Sequence, residues 1–170
     1  AINNMLKCLA ITEKTNNSVS FAMRNFTASN TYFNLNQFDK AISYANKAIQ
    51  YGKQFNNPFA VMMGMNNLSA SYSALHELDS AIDISKQQLF LSKQQEDIVN
   101  VSYALINLFY DNFRKGNVNA LANYARELEN YKCNMSDSEA IANVYNSIVM
   151  HYIAQKNIIS LRCNSTVVFM

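Results

Sequence analysis

Side chains suited to proton transfer are scarce: His76 and His151 are the 2 histidines in a chain of 170 residues. Imidazole is the usual near-neutral base, and it activates a nucleophile when a hydroxyl or thiol stands within hydrogen-bond reach. Neither histidine lies in such a pattern. His76 falls between two helical runs and His151 falls late in one, beside Tyr152, so both read as structural. Asp79 and Asp83 are four apart, a spacing that places two carboxylates on one helix face near His76. A solvated face is the simpler reading than a cation site. Glu96-Asp97 and Asp137-x-Glu139 precede helical runs, where acids meet the positive end of the helix dipole. Cys8, Cys133 and Cys163 form no CxxC or CxxH spacing, and an odd number argues against a complete disulfide framework. No Walker motif or EF-hand loop occurs. The expectation is a non-enzyme with no catalytic residues, no metal site and no cofactor.

Composition narrows the elements that must carry any function. Hydrophobic residues make up 49% and charged residues 15%, too apolar a balance for general disorder. With 3 Gly and 1 Pro, folds built on many tight turns give way to long helices with short links. No stretch reaches the ~18 apolar residues of a membrane span. The net charge is +2 and Lys and Arg are scattered, so neither nucleic-acid nor membrane contact is expected. Charge is uneven along the chain: residues 1–75 carry +4 and residues 76–139 carry −4. That asymmetry suits either guidance of an acidic partner or head-to-tail association, beside the plainer reading of solvated faces. A cytoplasmic location is expected, with a periplasmic sensor segment as the alternative. Asn is abundant, 25 residues, and is discounted as a functional signal because genome base composition explains it as well.

A period of forty residues runs through the chain. Ala41-Ile42 and Ala81-Ile82 lie forty apart, and Leu121 and Leu161 continue their column. Phe38, Leu78, Val118 and Ile158 form a second column. Tyr32, Tyr72 and Tyr152 form a third, broken by Asn112, and Ala28, Leu68, Leu108 and Ile148 a fourth. A fifth, Asn17, Asn57, Asp97 and Asp137, consists of good helix N-caps, and Pro58 follows Asn57 at the first helical position. Within each unit the apolar spacing is that of a helix, as in Val61, Met62, Met65, Leu68, Tyr72 and Leu75. First helices are expected over 18–35, 58–75, 98–115 and 138–155. Second helices are expected over 38–53, 78–94 and 118–132, with another starting near 158, and residues 2–14 read as the second helix of a partial leading unit. The units are 1–16 (partial), 17–56, 57–96, 97–136 and 137–170 (incomplete or irregular), within a single domain over 1–170. The links are a few residues long, so paired helices run antiparallel. One pair cannot bury its own apolar stripe, but stacked pairs can, which predicts an all-α superhelical solenoid of antiparallel helix pairs. Small residues at Ser29, Ala41, Ser69 and Ala81 would permit close helix approach.

Asn67-Leu68-Ser69-Ala70-Ser71-Tyr72, then Leu78 and Ala81-Ile82, resembles the tetratricopeptide repeat (TPR) pattern. Ser69 stands at the family's usual first-helix Gly, His76 at its turn Gly and Leu78 at its aromatic. The first unit offers Ser29, Tyr32, Asn36, Phe38 and Ala41-Ile42. The third keeps Leu108, Gly116 and Val118, but has Phe109 and Leu121 where small residues are usual. The family period is about 34 residues, so forty implies longer helices or longer links. This longer variety, together with Leu9-Ala10-Ile11-Thr12-Glu13-Lys14-Thr15-Asn16, is similar to sensory regions of bacterial regulators, including Bacteroidetes-type histidine kinases. The resemblance implies a right-handed stack.

It also implies that the first helices line an inner groove for a peptide or protein segment. In that register the inward positions include Phe26, Asn30 and Phe33 in the first unit and Asn66 and Asn67 in the second. Tyr103, Asn107, Tyr110 and Arg114 follow in the third and Asn146 in the fourth. Asn amides can donate to and accept from an extended backbone, and the aromatic rings can form side-chain pockets. Asn67 and Asn107, forty apart, form the sharpest pair, although bonding within or between helices would serve them equally well. Phe26 stands where chaperone-binding members carry a clamp Lys, which disfavours a chaperone tail as ligand. The expected function is a sensory or scaffolding interaction module; the alternative is homo-oligomer assembly through the ends or outer face.

Overall fold

The computed structural model describes residues 18–131 and, outside that span, Lys7 alone. Six helices follow in order: α1 (Ser18–Asn34), α2 (Phe38–Gln54), α3 (Pro58–Ala74), α4 (Leu78–Gln94), α5 (Ile98–Arg114) and α6 (Val118–Tyr131). Each of the first five has 17 residues, a length of about 25 Å. These spans match the sequence reading to within a residue or two. The leading helix over 2–14, the unit over 137–170, the caps Asn17 and Asp137, the three cysteines and His151 lie outside the described residues.

Helix ends explain the regular lengths. Asn57 Oδ1 accepts from the Ala60 N–H at 3.1 Å, and Asp97 Oδ1 accepts from the Asn100 N–H at 3.1 Å. Each satisfies one of the orphan donors at a helix start. Gln37 and Glu77, at the corresponding places before α2 and α4, form no side-chain cap.

Five turns share one closing device. Asn36, Asn56, His76, Glu96 and Gly116 have φ of 56°, 50°, 64°, 54° and 75°. At each, the residue in this left-handed conformation donates its N–H three residues back, and the next residue donates five back. Gln37 to Tyr32 and Asn36 to Phe33 are one such pair, Asn117 to Asn112 and Gly116 to Phe113 another. This is the Schellman closure, which satisfies the last carbonyls of the helix. It recurs every twenty residues, so the backbone repeats at half the sequence period.

Packing follows from which faces are apolar. α2 buries a narrow stripe, Ala41, Ala45, Ala48 and Gly52, at the i, i+4, i+7, i+11 spacing of one helix face. α3 buries far more of its surface, including Val61, Met62, Met65 and Leu68, and no charged residue occurs in it. It packs on α1, α2, α4 and α5, which leaves it little solvent to face. The odd helices thus form a continuous layer, α1 on α3 and α3 on α5, whereas the even helices approach one another less closely. Tyr32 stacks on Tyr44 at 5.3 Å, joining α1 to α2. Leu105, Leu108, Phe109, Leu121 and Leu128 are fully buried between α5 and its neighbours, each contributing about 1.5–3 kcal/mol by removal from water. Over the described residues the architecture is an all-α stack of six helices packed in sequence. No helix among the described residues is long and apolar enough to cross a membrane.

Candidate functional site

The odd layer carries the densest set of polar contacts between repeats. On it, a pocket of about 320 Å³ is lined by Phe33 of α1, by Ala70, Ser73 and Ala74 of α3, and by Asn107, Tyr110, Asp111 and Arg114 of α5. Its floor is open because α3 has small residues there, spaced one helical turn apart. Phe33 and Tyr110 stand on helices two steps apart in the stack, so the pocket exists only when three odd helices pack side by side.

The pocket wall is held by a bridge from α5 to α3. Ser73 Oγ donates to Asp111 Oδ1 at 2.5 Å and accepts from Arg114 Nη1 at 2.6 Å. Arg114 Nη1 also donates to the Ser73 carbonyl at 2.8 Å, and its Nη2 lies 3.1 Å from His76 Nδ1. Arginine can only donate, so His76 Nδ1 is the acceptor and the neutral ring keeps its proton on Nε2. Asp111 is 2% exposed. Burial pushes its carboxyl above the ordinary carboxylate range, against the Ser73 hydrogen bond and the Arg114 charge, which pull it down. Beside this bridge, Lys115 pairs with Asp79 in an exposed contact. Asp79 therefore already has a cation. Among the described residues no group of three or more His, Cys, Asp or Glu could hold a metal ion.

The sequence-predicted groove residues fall in different places. Phe33, Asn107, Tyr110 and Arg114 come together in the pocket. Asn66 and Asn107 meet directly, with Asn107 Nδ2 donating to Asn66 Oδ1 at 2.9 Å. Phe26 packs edge-on against Phe59 at 6.4 Å, while Tyr103 is half-buried and Asn30 exposed on the same layer. Asn67 sits apart: it is 7% exposed and its Nδ2 is buried with no hydrogen-bond partner among the described residues. Asn66, one position earlier, is the amide that faces Asn107, because a step of one residue turns a helix side chain by about 100°. Asn146 lies outside the described residues.

Sequence reading passed over Asp111 and Ser73 as a pair. Their separation of 38 residues falls short of the forty-residue columns, since the two positions lie on facing flanks of neighbouring helices and not at equivalent ones. The available signal was a lone acid inside an otherwise uncharged stretch of α5, the pattern that marks a buried carboxylate needing a partner. Phe59, 52% exposed, was likewise not singled out. Compared with models of known protein families and with curated proteins, the chain matches none.

Proposed function

We propose that the chain is a non-catalytic TPR-like module that binds a peptide or protein segment along its odd-helix layer, as the sensory or scaffolding part of a bacterial regulator. The observation that carries this reading is the convergence of Phe33, Asn107, Tyr110 and Arg114 on one pocket contributed by three successive odd helices. A segment crossing that layer meets aromatic walls suited to side chains. It also meets the Asn66–Asn107 pair, which keeps a donor on Asn66 Nδ2 and an acceptor on Asn107 Oδ1 for a peptide group. Charge supports the same choice of face. Across α1, α3 and α5 the charged residues are Arg24, Asp111 and Arg114, whereas α2 alone carries Asp39, Lys40, Lys47 and Lys53. Binding faces are depleted of charge at their centres and enriched in aromatic and Met side chains. The sensory and regulatory part of the proposal rests on the sequence resemblance.

The test is a peptide library screened against the wild type and against the Asn107→Ala, Tyr110→Ala double variant, with helicity followed by circular dichroism. Saturable binding that disappears while helicity survives supports the groove. Binding that persists undiminished in the variant, or a wild type that binds no peptide, sinks it.

A second reading has its own observation. Phe90, on the outer layer in α4, is 62% exposed and is the large apolar side chain that a partner copy docking on that face would cover. Sedimentation of the wild type against Phe90→Glu decides it: self-association lost in the variant favours assembly through the outer face.

A further inference from the structure

We infer that the pocket between Phe33 and Tyr110 receives a basic side chain, lysine or arginine, from the segment that lies on the odd-helix layer. This rests on the peptide-binding reading above and adds to it a side-chain specificity.

Asp111 is the acid in the pocket wall, and its carboxylate keeps acceptor capacity to spare. A carboxylate offers about four acceptor sites, and among the described residues Asp111 receives one hydrogen bond, from Ser73 Oγ. Arg114 Nη1 is 3.9 Å from Asp111 Oδ1, beyond hydrogen-bond length. Geometry holds it there, since Nη1 is committed to the Ser73 carbonyl and hydroxyl and Nη2 to His76. A carboxylate 2% exposed with one donor is expensive to keep ionised, and a further cationic donor removes that cost.

The remaining walls suit the same guest. Lysine and arginine carry long aliphatic stems that lie well against apolar surface. The pocket lining includes the small apolar Ala70 and Ala74 and the aromatic Phe33 and Tyr110, and aromatic faces attract cations. An acidic guest fares worse. Its attraction to Arg114 is to a guanidinium already making three hydrogen bonds, and it would enter beside Asp111. A neutral guest gains Asn107 but leaves Asp111 as it was.

Small fragments test the pocket without a known partner. n-Butylguanidinium, n-butylammonium, butyrate and n-butanol are titrated into the folded chain while the ring resonances of Phe33 and Tyr110 are followed by NMR. The two cations should shift both rings saturably and bind about tenfold or more tighter than butyrate or butanol. Asp111→Asn keeps the acceptor for Ser73 and should lose that preference. Arg114→Gln removes the competing charge and should tighten butylguanidinium binding several-fold. Butyrate or butanol binding as tightly as the cations overturns the inference, as does Asp111→Asn binding butylguanidinium unchanged. Should Asp111→Asn not fold, the Arg114→Gln arm decides alone, and weaker binding there overturns the inference. Failure of the broader reading looks different: fragments bind as expected, but the peptide library returns nothing. Library hits with no basic residue at any fixed position would instead remove the pocket specificity and leave the groove.

Discussion

The first two repeats and the third close the space between their paired helices by opposite means. In the first, Ser29 Oγ donates to the Ala41 carbonyl at 2.9 Å; in the second, Ser69 Oγ donates to the Ala81 carbonyl at 3.1 Å and meets Ser85 Oγ at 2.6 Å. Small side chains let the helices approach, and a hydroxyl reaches a backbone oxygen across the gap. In the third repeat the same two places hold Phe109 and Leu121, both fully buried, packed with Ala125 and flanked by Phe113 and Tyr124. One backbone plan thus accepts either a hydrogen-bonded small-residue contact or an apolar wedge. What the repeat requires is a filled space between helices, not a residue type.

The largest test of that contrast is truncation. Phe109→Ala should cost about 3–5 kcal/mol by opening a cavity that the α5–α6 contact cannot close. Urea unfolding measures it. The next effect acts on close approach between repeats. A Cβ on Gly64 would stand 2.8 Å from Ile49 Cγ1 and 3.2 Å from the Ala45 carbonyl oxygen, so Gly64→Ala should destabilise by about 1–3 kcal/mol through overpacking of α2 against α3. Forty residues on, α5 already carries Ala104 at the matching place, fully buried, which makes the α2–α3 contact the tighter of the two. Ser69→Ala should cost only about 1 kcal/mol, the net value of its hydrogen bonds. If Ser69→Ala proved as damaging as Phe109→Ala, the idea of two interchangeable closures would fail.

The helices were readable because two signals agreed over long stretches: apolar spacing of helical period, and the caps Asn57 and Asp97 at the same place in successive units. Small residues at Ser29, Ala41, Ser69 and Ala81 were readable for the same reason, since volume is visible in a sequence. The closure shared by all five turns was not. The five turn residues are Asn36, Asn56, His76, Glu96 and Gly116, which share a conformation and little chemistry, and Glu96 is of a type that seldom adopts it. At the site, the aromatic and amide residues of single helices were readable from their register. The bridge among Ser73, Asp111 and Arg114 was not, because it depends on which flanks of neighbouring helices meet. The shift of partner from Asn67 to Asn66 likewise turns on one helical step, smaller than a register argument resolves.

Those turn residues offer a change of opposite sign. Glu96 holds φ of 54°, a conformation that costs an L-residue about 1 kcal/mol or more and glycine very little. Glu96→Gly should therefore stabilise the chain by up to about 1 kcal/mol in thermal or urea unfolding. Asn56→Gly should give less, since asparagine tolerates the left-handed region. His76→Gly should also fall short of Glu96→Gly, because it discards the hydrogen bond from Arg114. Equal gains at all three positions would mean that side-chain identity at these turns is irrelevant to the closure.

The smallest effect separates stability from function at the pocket. Burial raises the Asp111 carboxyl above its unfolded value, so the folded state holds that proton more firmly than the unfolded chain does. Between the unfolded and folded values the native state binds more protons, and stability therefore falls as pH rises through that window. The benefit from Asp111 is full at acid pH, where the group is protonated, and is lost above its folded value. Once ionised, the buried carboxylate is a liability that an amide would not share. Asp111→Asn should then unfold at a urea concentration equal to or higher than the wild type at neutral pH, with the difference shrinking as pH approaches the ordinary carboxylate range. A variant less stable than the wild type at neutral pH would show that Asp111 is kept for the fold. A variant at least as stable would show that the fold does not need the carboxylate, as expected of a perturbed acid that serves a binding site.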